Sequence, residues 1–390
     1  MQSKLNLLFL LTYTHRHRNM GIFIIATLLV TLLASTLFIS TSIKEELLGS
    51  LQTQADFTIQ KYAAGKVLET PSTWADEFLV FKGVSSVKGR VYGMHYYEPK
   101  ETYFMIVGVD LYEEQSVQKL KTLIEKIDIE KFLSKKSMII GMGVKKFFDE
   151  YQYNEYYIFR PPDRSREKVY IYDTIPKEAS LIGNDMILME ISQARKVLGM
   201  EENQFTDITL NVKNSQEIQK VEEKLIRSHF NTRIIKKSDL EKFYSNLFNY
   251  KGGVFLTLFF ITLSSFSIIL YQRYSIVTKI ESKEIALLRM MGWKIKDIIA
   301  LKMTENFLLI TSAYMIGIIF AYLFVFQLDA PLLKNIFLGF SNLQNEVTFS
   351  FYPAFETLAL LFVIFVIPFL LATLIPLYKI SITEISELIK

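Results

Sequence analysis

Four apolar runs constrain the fold of this chain more than any other feature of its sequence. A helix of about 20 apolar residues, rising ~1.5 Å per residue, is long enough to cross the hydrocarbon core of a bilayer. The sequence therefore predicts four transmembrane helices, TM1 to TM4, at residues 20–40, 253–272, 304–328 and 352–378. The first run continues into polar sequence without a small-residue cleavage site, which favours a retained helix over a signal peptide.

The remaining composition fits a membrane protein with a water-exposed domain. Hydrophobic residues make up 50% of the chain, and the apolar excess is concentrated in the four runs. The net charge is only +4, which gives no reason to expect a nucleic-acid partner. The chain contains 0 cysteines, so disulfides, thiolate nucleophiles and thiolate zinc sites are excluded.

The distribution of basic residues predicts the orientation in the membrane. Lysine and arginine are frequent before TM1 and between TM2 and TM3, and rare between TM3 and TM4. Because basic loops stay on the cytoplasmic side, we expect a cytoplasmic arm at 1–19, a cytoplasmic segment at 273–303 and a cytoplasmic tail at 379–390. Residues 41–250 and the short loop 329–351 are then extracytoplasmic, as in a multi-pass protein of the inner (cytoplasmic) membrane with both termini inside.

Residues 41–250 have the patterns of an α+β domain. Runs of β-branched and aromatic residues predict strands at Asp56–Gln60, Val87–Tyr97, Thr102–Val109, Ser137–Ile140, Tyr156–Arg160, Val169–Tyr172, Met186–Met189 and Asp207–Val212. Helical patterns lie at Ser72–Phe81, Glu113–Lys126, Ser192–Leu198, Ser215–Phe230 and Ser238–Asn249. The stretch Phe205–Ile235 alternates strand, helix, strand, which is typical of a βαβ-like half-domain, whereas Gln152–Thr174 reads as a strand-rich lobe. The predicted fold class is thus a membrane α-helical protein with an α+β extracytoplasmic domain.

The stretch Arg273–Asn306, between TM2 and TM3, reads as an amphipathic helix lying on the membrane surface. On a helix at 100° per residue, basic side chains at Lys279, Lys283 and Arg289 project opposite an apolar stripe formed by Val277, Ile280, Leu287, Leu288 and Met291. Glu284 falls inside this stripe, and no residue three or four positions away is a cation. We therefore expect its charge to be satisfied from outside the helix; the alternative is a carboxylate that reaches water at the edge of the stripe.

Two further features flank this stretch. Ser238–Leu270 reads as one long helix, amphipathic at first and then wholly apolar, and we expect it to act as a mechanical stalk. Its amphipathic start contains the apolar residues Leu240, Phe243 and Leu247. The alternative is a flexible joint at Gly252-Gly253. Glu305 is a charge where TM3 enters the membrane, which predicts a functional or pairing role; the alternative is an interfacial glutamate paired with Lys302.

The order of residues around this helix is informative. It contains Glu284-Ile285, Leu288-Arg289, Met291-Gly292 and Asp297-Ile298, followed by Glu305. In this pattern the sequence resembles the FtsX/MacB-like ABC transporter permease family, although Glu281 and Ser282 stand where that family usually has an arginine.

The resemblance implies a MacB-like extracytoplasmic domain in which Phe205–Ile235 belongs to the porter-like half. It implies a dimer, with a second copy or a sibling permease, and two copies of a cytoplasmic ABC ATPase that bind ATP and Mg. The residues placed in contact with the ATPase are Glu284, Ile285, Leu288, Arg289, Gly292 and Asp297. The function implied is mechanotransmission, in which ATP hydrolysis in the ATPase moves the extracytoplasmic domains.

A search for enzymatic chemistry finds little. The sequence has no G-x-x-x-x-G-K-[ST] motif and no H-E-x-x-H motif, so we expect no catalytic, cofactor-binding or metal-binding residues and no enzyme activity from the chain itself. Two alternatives for the outer domain are soft-metal ligation by scattered methionines and histidines, and a hydrophobic substrate surface lined by the tyrosines at 92–97 and 151–157.

The sequence features described so far do not identify the substrate. The size of residues 41–250 favours efflux, or the handling of lipoproteins or other hydrophobic substrates, with a periplasmic protein as a further possible partner. A different class of function is a membrane receptor or scaffold that binds a ligand outside and has no ATPase, and a membrane enzyme is a third class.

Overall fold

The computed structural model describes residues 16–110, 128–176, 180–275, 279–338, 347–352 and 355–382. The predicted helix at Glu113–Lys126 and the stripe residue Val277 lie outside these ranges. The helices, in chain order, are α1 (Arg16–Gln52), α2 (Thr73–Leu79), α3 (Ile129–Ser134), α4 (Met142–Glu150), α5 (Ser180–Gly183), α6 (Ile191–Leu198), α7 (Ile218–Ser228), α8 (Lys237–Ser275), α9 (Lys279–Met290), α10 (Ile295–Tyr322), α11 (Leu333–Leu338) and α12 (Phe355–Ile382).

The strands, in chain order, are β1 (Phe57–Ala63), β2 (Lys66–Leu68), β3 (Thr70–Pro71), β4 (Val84–Tyr97), β5 (Thr102–Val109), β6 (Ser137–Ile140), β7 (Tyr156–Phe159), β8 (Glu167–Thr174), β9 (Met186–Glu190), β10 (Gln204–Phe205), β11 (Asp207–Val212) and β12 (Thr232–Lys236). The chain divides into two compact units. The bundle unit comprises Met1–Thr41, Asn249–Pro331 and Phe351–Lys390, and the sheet unit comprises Ser42–Phe248 and Leu332–Ser350.

Three helices of the described residues are long and apolar enough to cross a membrane: Asn19–Gln52, Ile295–Gln327 and Phe355–Ile382. They contain the predicted TM1 and overlap the predicted TM3 and TM4, which end at 328 and begin at 352 respectively. The predicted TM2 lies inside α8, which is not among these three, and it stays a prediction. The helix that contains TM3 begins at Ile295, well before the predicted 304, because no glycine or proline interrupts the sequence between the two positions. Part of the predicted cytoplasmic segment 273–303 is therefore the first part of this helix.

Close packing of α1 against α10 is explained by a glycine. A Cβ atom at Gly317 would lie 2.7 Å from the Cβ of Val30, so a larger residue cannot be accommodated without a shift of one helix. The hydroxyl of Thr31 donates a hydrogen bond to the Gly317 carbonyl at 3.2 Å. Small residues allow this kind of approach between helices in lipid, and the two backbones are therefore fixed relative to each other.

The sheet unit is built around one continuous sheet of ten described strands, in the order β12-β1-β11-β4-β5-β9-β6-β8-β7, with β2 paired to β1. Each of its first four strands is antiparallel to its neighbours in the sheet. In chain order they are β1, β4, β11 and β12, so their spatial order is 4-1-3-2. Helices α2 and α7 connect β1 to β4 and β11 to β12, which is the ferredoxin-like arrangement of two interleaved split βαβ units.

The predicted strand, helix, strand unit at Phe205–Ile235 is confirmed as β11, α7 and β12. Its two strands are not neighbours, because β1 lies between them and pairs with both. Sequence periodicity cannot predict that a strand from much earlier in the chain lies between them. The apolar core between the helices and this part of the sheet contains Phe57, Ile59, Phe78, Ile208, Leu210, Val221 and Leu225.

The second half of the sheet unit is inserted between β4 and β11. Strand β4 is 14 residues long, and its first half pairs with β11 whereas its second half, from Val91, pairs with β5. Where the two halves meet, Arg90 forms two hydrogen bonds of 2.7 Å to the fully buried Asp207 on β11. Tyr92 donates a third bond to the same carboxylate at 2.8 Å, and its burial beside this negative charge raises the pKa of its phenol to about 12.

The strand predictions in this half agree with β5 to β9 in place and type. Short elements were not predicted, because α3, α4 and α5 contain only one or two turns and β2, β3 and β10 contain three residues or fewer. The core of this half is strongly aromatic. It contains Tyr97, Phe104, Phe147, Phe148 and Phe159 together with aliphatic residues of β6 and β9.

Candidate functional site

The turn after α9 explains why the sequence carries a glycine at position 292. Gly292 has φ +85°, a left-handed conformation that glycine adopts without steric cost. Its N–H donates to the Arg289 carbonyl at 3.0 Å, and the N–H of Trp293 donates to the Leu288 carbonyl at 3.1 Å. This pair of bonds is a Schellman motif, which ends the helix and satisfies carbonyls that would otherwise be unpaired. The chain is thereby turned into α10, whose first turn contains Asp297.

The face that α9 buries differs from the predicted stripe. Ile285, Ala286 and Leu288 are buried and pack with Ile298 of α10, and Trp293 and Ile380 contact the same cluster. Leu287 and Met291, two members of the predicted stripe, are exposed, as is Met290 between them. The predicted stripe is thus divided, because Leu288 packs against α10 whereas Leu287 and Met291 lie on an exposed apolar side of α9.

Glu284 is satisfied inside the chain. The Nζ atom of Lys302 on α10 lies 3.5 Å from Oε2 of Glu284 and 3.5 Å from Oε2 of Glu305. The predicted partner outside its helix is confirmed as Lys302. A lysine between two carboxylates ties the segment α9 to the helix α10.

Glu305 is buried inside the chain and is paired with Lys302, the partner that the interfacial alternative names. Its side chain is only 4% exposed, and its Oε1 atom accepts a hydrogen bond from Nδ2 of Asn19 at 3.0 Å. Lys302 is 8% exposed as a residue, and within the described part of the chain its ammonium group has no acceptor in hydrogen-bond geometry. We call Asn19, Glu284, Lys302 and Glu305 the ion cluster. It joins three helices, α1, α9 and α10.

A small cavity of about 30 Å³ lies beside the ion cluster. It is lined by Tyr274, Ile285, Lys302, Glu305, Asn306, Leu377 and Ile380. Its volume is close to the share of one water molecule in the liquid. On its rim the hydroxyl of Tyr274 donates to Oδ1 of Asn306 at 2.8 Å, which links α8 to α10. Residues of four helices, α8, α9, α10 and α12, therefore line this cavity.

The remaining predicted site residues are not members of the ion cluster. Arg289 and Asp297 are half-buried, and both interact with other residues of the chain. In the predicted stalk, Leu240 and Leu247 are half-buried, whereas Phe243 is exposed. The helix α8 includes Gly252 and Gly253, so the alternative of a break at these glycines is not what the structure contains.

Sequence reasoning missed Asn19, Tyr274 and Asn306, and it considered Lys302 only as a partner of Glu305. The available signal was the presence of several polar side chains at the membrane-facing ends of apolar runs, where ionisable groups tend to be paired. For the metal alternative, no group of three or more His, Asp or Glu within the described ranges could hold a metal ion.

Two solved extracytoplasmic domains match part of the chain. One is the extracellular domain of the noncanonic ABC-type transporter YknZ from Gram-positive bacteria, with 10% identity, a TM-score of 0.29, and coverage of 47% of this chain and 100% of that chain. The other is the periplasmic region of MacB from Actinobacillus actinomycetemcomitans, with 12% identity, a TM-score of 0.31, and coverage of 49% and 92%. No curated protein matches the chain.

The sequence match lies in the bundle unit. Residues 254–385 match the family described as FtsX-like permease C-terminal. That range contains Glu284, Lys302 and Glu305, the charged members of the ion cluster, as well as the glycine that ends α9. Residues 254–385 therefore form an FtsX-like permease domain, and this match supports an FtsX/MacB-like ABC transporter permease.

Proposed function

We propose that this permease works by mechanotransmission, in which a cytoplasmic ATPase pushes on α9 and the ion cluster passes the displacement to the membrane helices. ABC permeases in general work with a cytoplasmic ATPase. In this proposal the partner ATPase binds ATP and Mg, is present in two copies, and serves a dimer of this chain or a heterodimer with a sibling permease. Residues 41–250 lie outside the membrane, and all four predicted helices TM1 to TM4 cross it.

The observation that carries the proposal is the position of Lys302. Its ammonium group lies between a carboxylate on α9 and a carboxylate on α10, at 3.5 Å from each. Because breaking a buried ion pair is expensive, α9 cannot move without either taking α10 with it or separating the charges. Asn19 extends the same connection to α1, the helix that leads to the first strand of the sheet unit.

An apolar surface on the other side of α9 supports contact with a partner. Leu287, Met290 and Met291 are 54%, 57% and 66% exposed. Methionine side chains adapt to irregular surfaces and are frequent at binding sites. We propose that this surface faces the ATPase, whereas the opposite face, with Ile285 and Leu288, is already used to hold α9 against α10.

In this proposal, α8 transmits the displacement towards the extracytoplasmic domain. This helix extends from Lys237, directly after β12, through the predicted TM2 to Ser275, inside the predicted cytoplasmic segment 273–303. A continuous helix transmits displacement along its axis better than a loop, so α8 is the proposed stalk. The substrate class we propose is a hydrophobic molecule or lipoprotein that is exported or extracted, in keeping with the size of residues 41–250.

The test is ATP turnover by the ATPase that co-purifies with the chain, measured in proteoliposomes. Glu284→Ala leaves Lys302 paired with Glu305, so the helices keep a balanced cluster and expression is unchanged. We expect permease-stimulated turnover to fall about 5-fold or more, the lower range of typical coupling energies. The matched control is Lys283→Ala, because Lys283 is the exposed neighbour of Glu284 on the same helix.

The expected result is a loss in Glu284→Ala and wild-type stimulation in Lys283→Ala. Wild-type turnover in Glu284→Ala would remove the ion cluster from the coupling pathway. The receptor or scaffold alternative is tested by the same purification, because a receptor would bring down no P-loop ATPase with the tagged chain.

A further inference from the structure

Strand β7 lies at the end of the sheet and has an open edge. It pairs with β8 only, in the register Tyr156 opposite Tyr170 and Ile158 opposite Lys168. Among the described strands, none pairs with its other side. An open edge of this kind offers backbone N–H and C=O groups to any extended chain that approaches it.

The hydrogen bonds around β8 show which backbone groups of β7 point to the open edge. The Ile171 N–H donates to the Glu155 carbonyl at 2.8 Å, and these two residues are directly opposite in the register. In an antiparallel pair the bonded positions alternate, so Tyr157 and Phe159 direct their backbone groups to β8. The N–H and C=O groups of Tyr156 and Ile158 therefore point away from the sheet.

A large cavity runs along this edge. Its volume is about 1250 Å³, and its lining includes Tyr156, Tyr157 and Ile158. Side chains of consecutive residues in a strand point to opposite faces, so a cavity that touches all three must follow the edge rather than one face. The same cavity touches His95, Tyr96 and Tyr97 at the end of β4, which places it between two strand edges.

Side chains, not backbone bonds, connect β4 to β7 across this gap. The Nε2 atom of His95 lies 3.4 Å from the hydroxyl of Tyr157, and the rings of Tyr97 and Tyr157 are 6.3 Å apart. The two edges are therefore held close, while their backbone groups remain separate. This geometry forms a slot with aromatic walls.

The walls of the cavity combine aromatic surface with charges of both signs. Tyr96, Tyr97, Tyr151, Tyr153, Tyr156 and Tyr157 supply rings and hydroxyl groups. Two carboxylates, Glu98 and Glu155, and two guanidinium groups, Arg160 and Arg166, complete the lining. Tyrosine provides a large contact area with little loss of side-chain entropy and is enriched in surfaces that bind proteins and peptides.

We propose that this cavity binds an extended peptide segment, which adds as a strand to the open edge of β7. The backbone of the peptide would pair with Tyr156 and Ile158, the mode of recognition known as β-augmentation. Its side chains would rest on the tyrosine rings, and the balanced lining charges complement a segment of mixed charge rather than a strongly acidic or basic polymer. A volume of about 1250 Å³ exceeds the 300–1,000 Å³ of typical small-molecule sites.

The experiment uses the full-length protein in nanodiscs without nucleotide or ATPase, so it does not depend on the coupling proposal. A phage-displayed library of short linear peptides is panned against the protein, and enriched peptides are labelled for fluorescence anisotropy. Ile158→Pro removes an N–H that points to the open edge, a position where proline is tolerated. Ile158→Val keeps that N–H and is the matched control.

We expect Ile158→Pro to weaken peptide binding about 10-fold or more, because a hydrogen bond is lost and the proline ring obstructs the edge, and Ile158→Val to bind as wild type. Equal affinity in both variants, or no enriched peptide, would overturn the proposal. If Ile158→Pro does not fold, Tyr156→Ala decides, and unchanged affinity in that variant also overturns it. Loss of self-association in Ile158→Pro without loss of peptide binding would assign the edge to a second copy and refute the peptide.

Discussion

Replacing Lys302 with methionine tests the ion cluster directly, because it removes the charge and keeps an apolar side chain of similar length. In the structure this lysine is the cation within 3.5 Å of both Glu284 and Glu305. The methionine would fill the volume of the lysine stem, so the expected effect is electrostatic rather than a loss of packing.

The magnitude follows from the distances. At an effective dielectric constant of about 20, two unit charges 3.5 Å apart attract by ~5 kcal/mol, and desolvation offsets part of this. Removing one member of a buried ion pair typically lowers stability by about 3–5 kcal/mol. We expect a loss in that range for Lys302→Met, since Glu305 is buried and its hydrogen bond from Asn19 is a neutral one. The combination of Glu284→Gln, Lys302→Met and Glu305→Gln contains no buried charge and should recover most of the loss.

The assay measures the fluorescence of a native tryptophan. The chain contains 2 tryptophans, and Trp293 packs against the cluster of Leu288 and Ile298 beside the ion cluster. In a Trp74→Phe background, the fluorescence of Trp293 reports unfolding of this region in mixed detergent micelles as the fraction of dodecyl sulfate increases. A free energy of unfolding for Lys302→Met within about 1 kcal/mol of wild type would refute the reasoning, as would a triple variant no more stable than the single one.

Two further predictions concern packing and pH. Gly317→Ala should lower the stability of the bundle unit by about 1–3 kcal/mol, because the new Cβ would lie 2.7 Å from Val30; in the same micelle assay Gly21→Ala, which meets nothing within 4 Å, should show no loss. Burial lowers the pKa of His95, so its contribution to stability is complete above the ordinary value of about 6.5 and is lost as the pH falls through the folded-state value. The melting temperature of the wild type should therefore fall as the pH is lowered through this range, and this pH dependence should be weaker in His95→Gln. An unchanged pH dependence in the variant would contradict this role of His95.

Local sequence patterns predicted the elements whose signal is local. The apolar runs in α1, α10 and α12 are visible in any hydropathy window, and β5, β6 and β11 were predicted with the bounds that the structure has. The ends of helices were predicted less accurately. Helix α1 continues past residue 40, because the residues that follow, such as Glu45, Glu46 and Leu47, are good helix formers.

Local sequence patterns could not predict contacts between residues that are far apart in the chain. The partner of Glu284 is 18 positions further along the chain, on a helix that is brought back by the turn at Gly292, whereas the pairing rules used on a sequence reach only three or four positions. The side of α9 that packs inside the chain could not be predicted for a related reason. Leu287 and Leu288 are equally apolar, and the packing of Ile298 against Leu288 decides between them.

The sheet order could not be predicted either. A 4-1-3-2 arrangement requires β1 to lie between β11 and β12, which are about 150 residues further along the chain. Similarly, the slot between β4 and β7 depends on two segments 60 residues apart. The tyrosines were recognised as a possible surface, but only the fold shows that they border an open strand edge.

The pairing of β1 with β12 determines how the sheet would respond to tension. Phe57, the first residue of β1, lies opposite Lys236, the last residue of β12, and the two chain segments that lead away from the sheet begin at this one end of the pair. At the same place the Lys237 ammonium donates to the Gln52 carbonyl. A force that separated these two segments would load the interstrand bonds one at a time, as in a zipper, instead of all together, so the first and last strands would part at a lower force than strands pulled lengthwise.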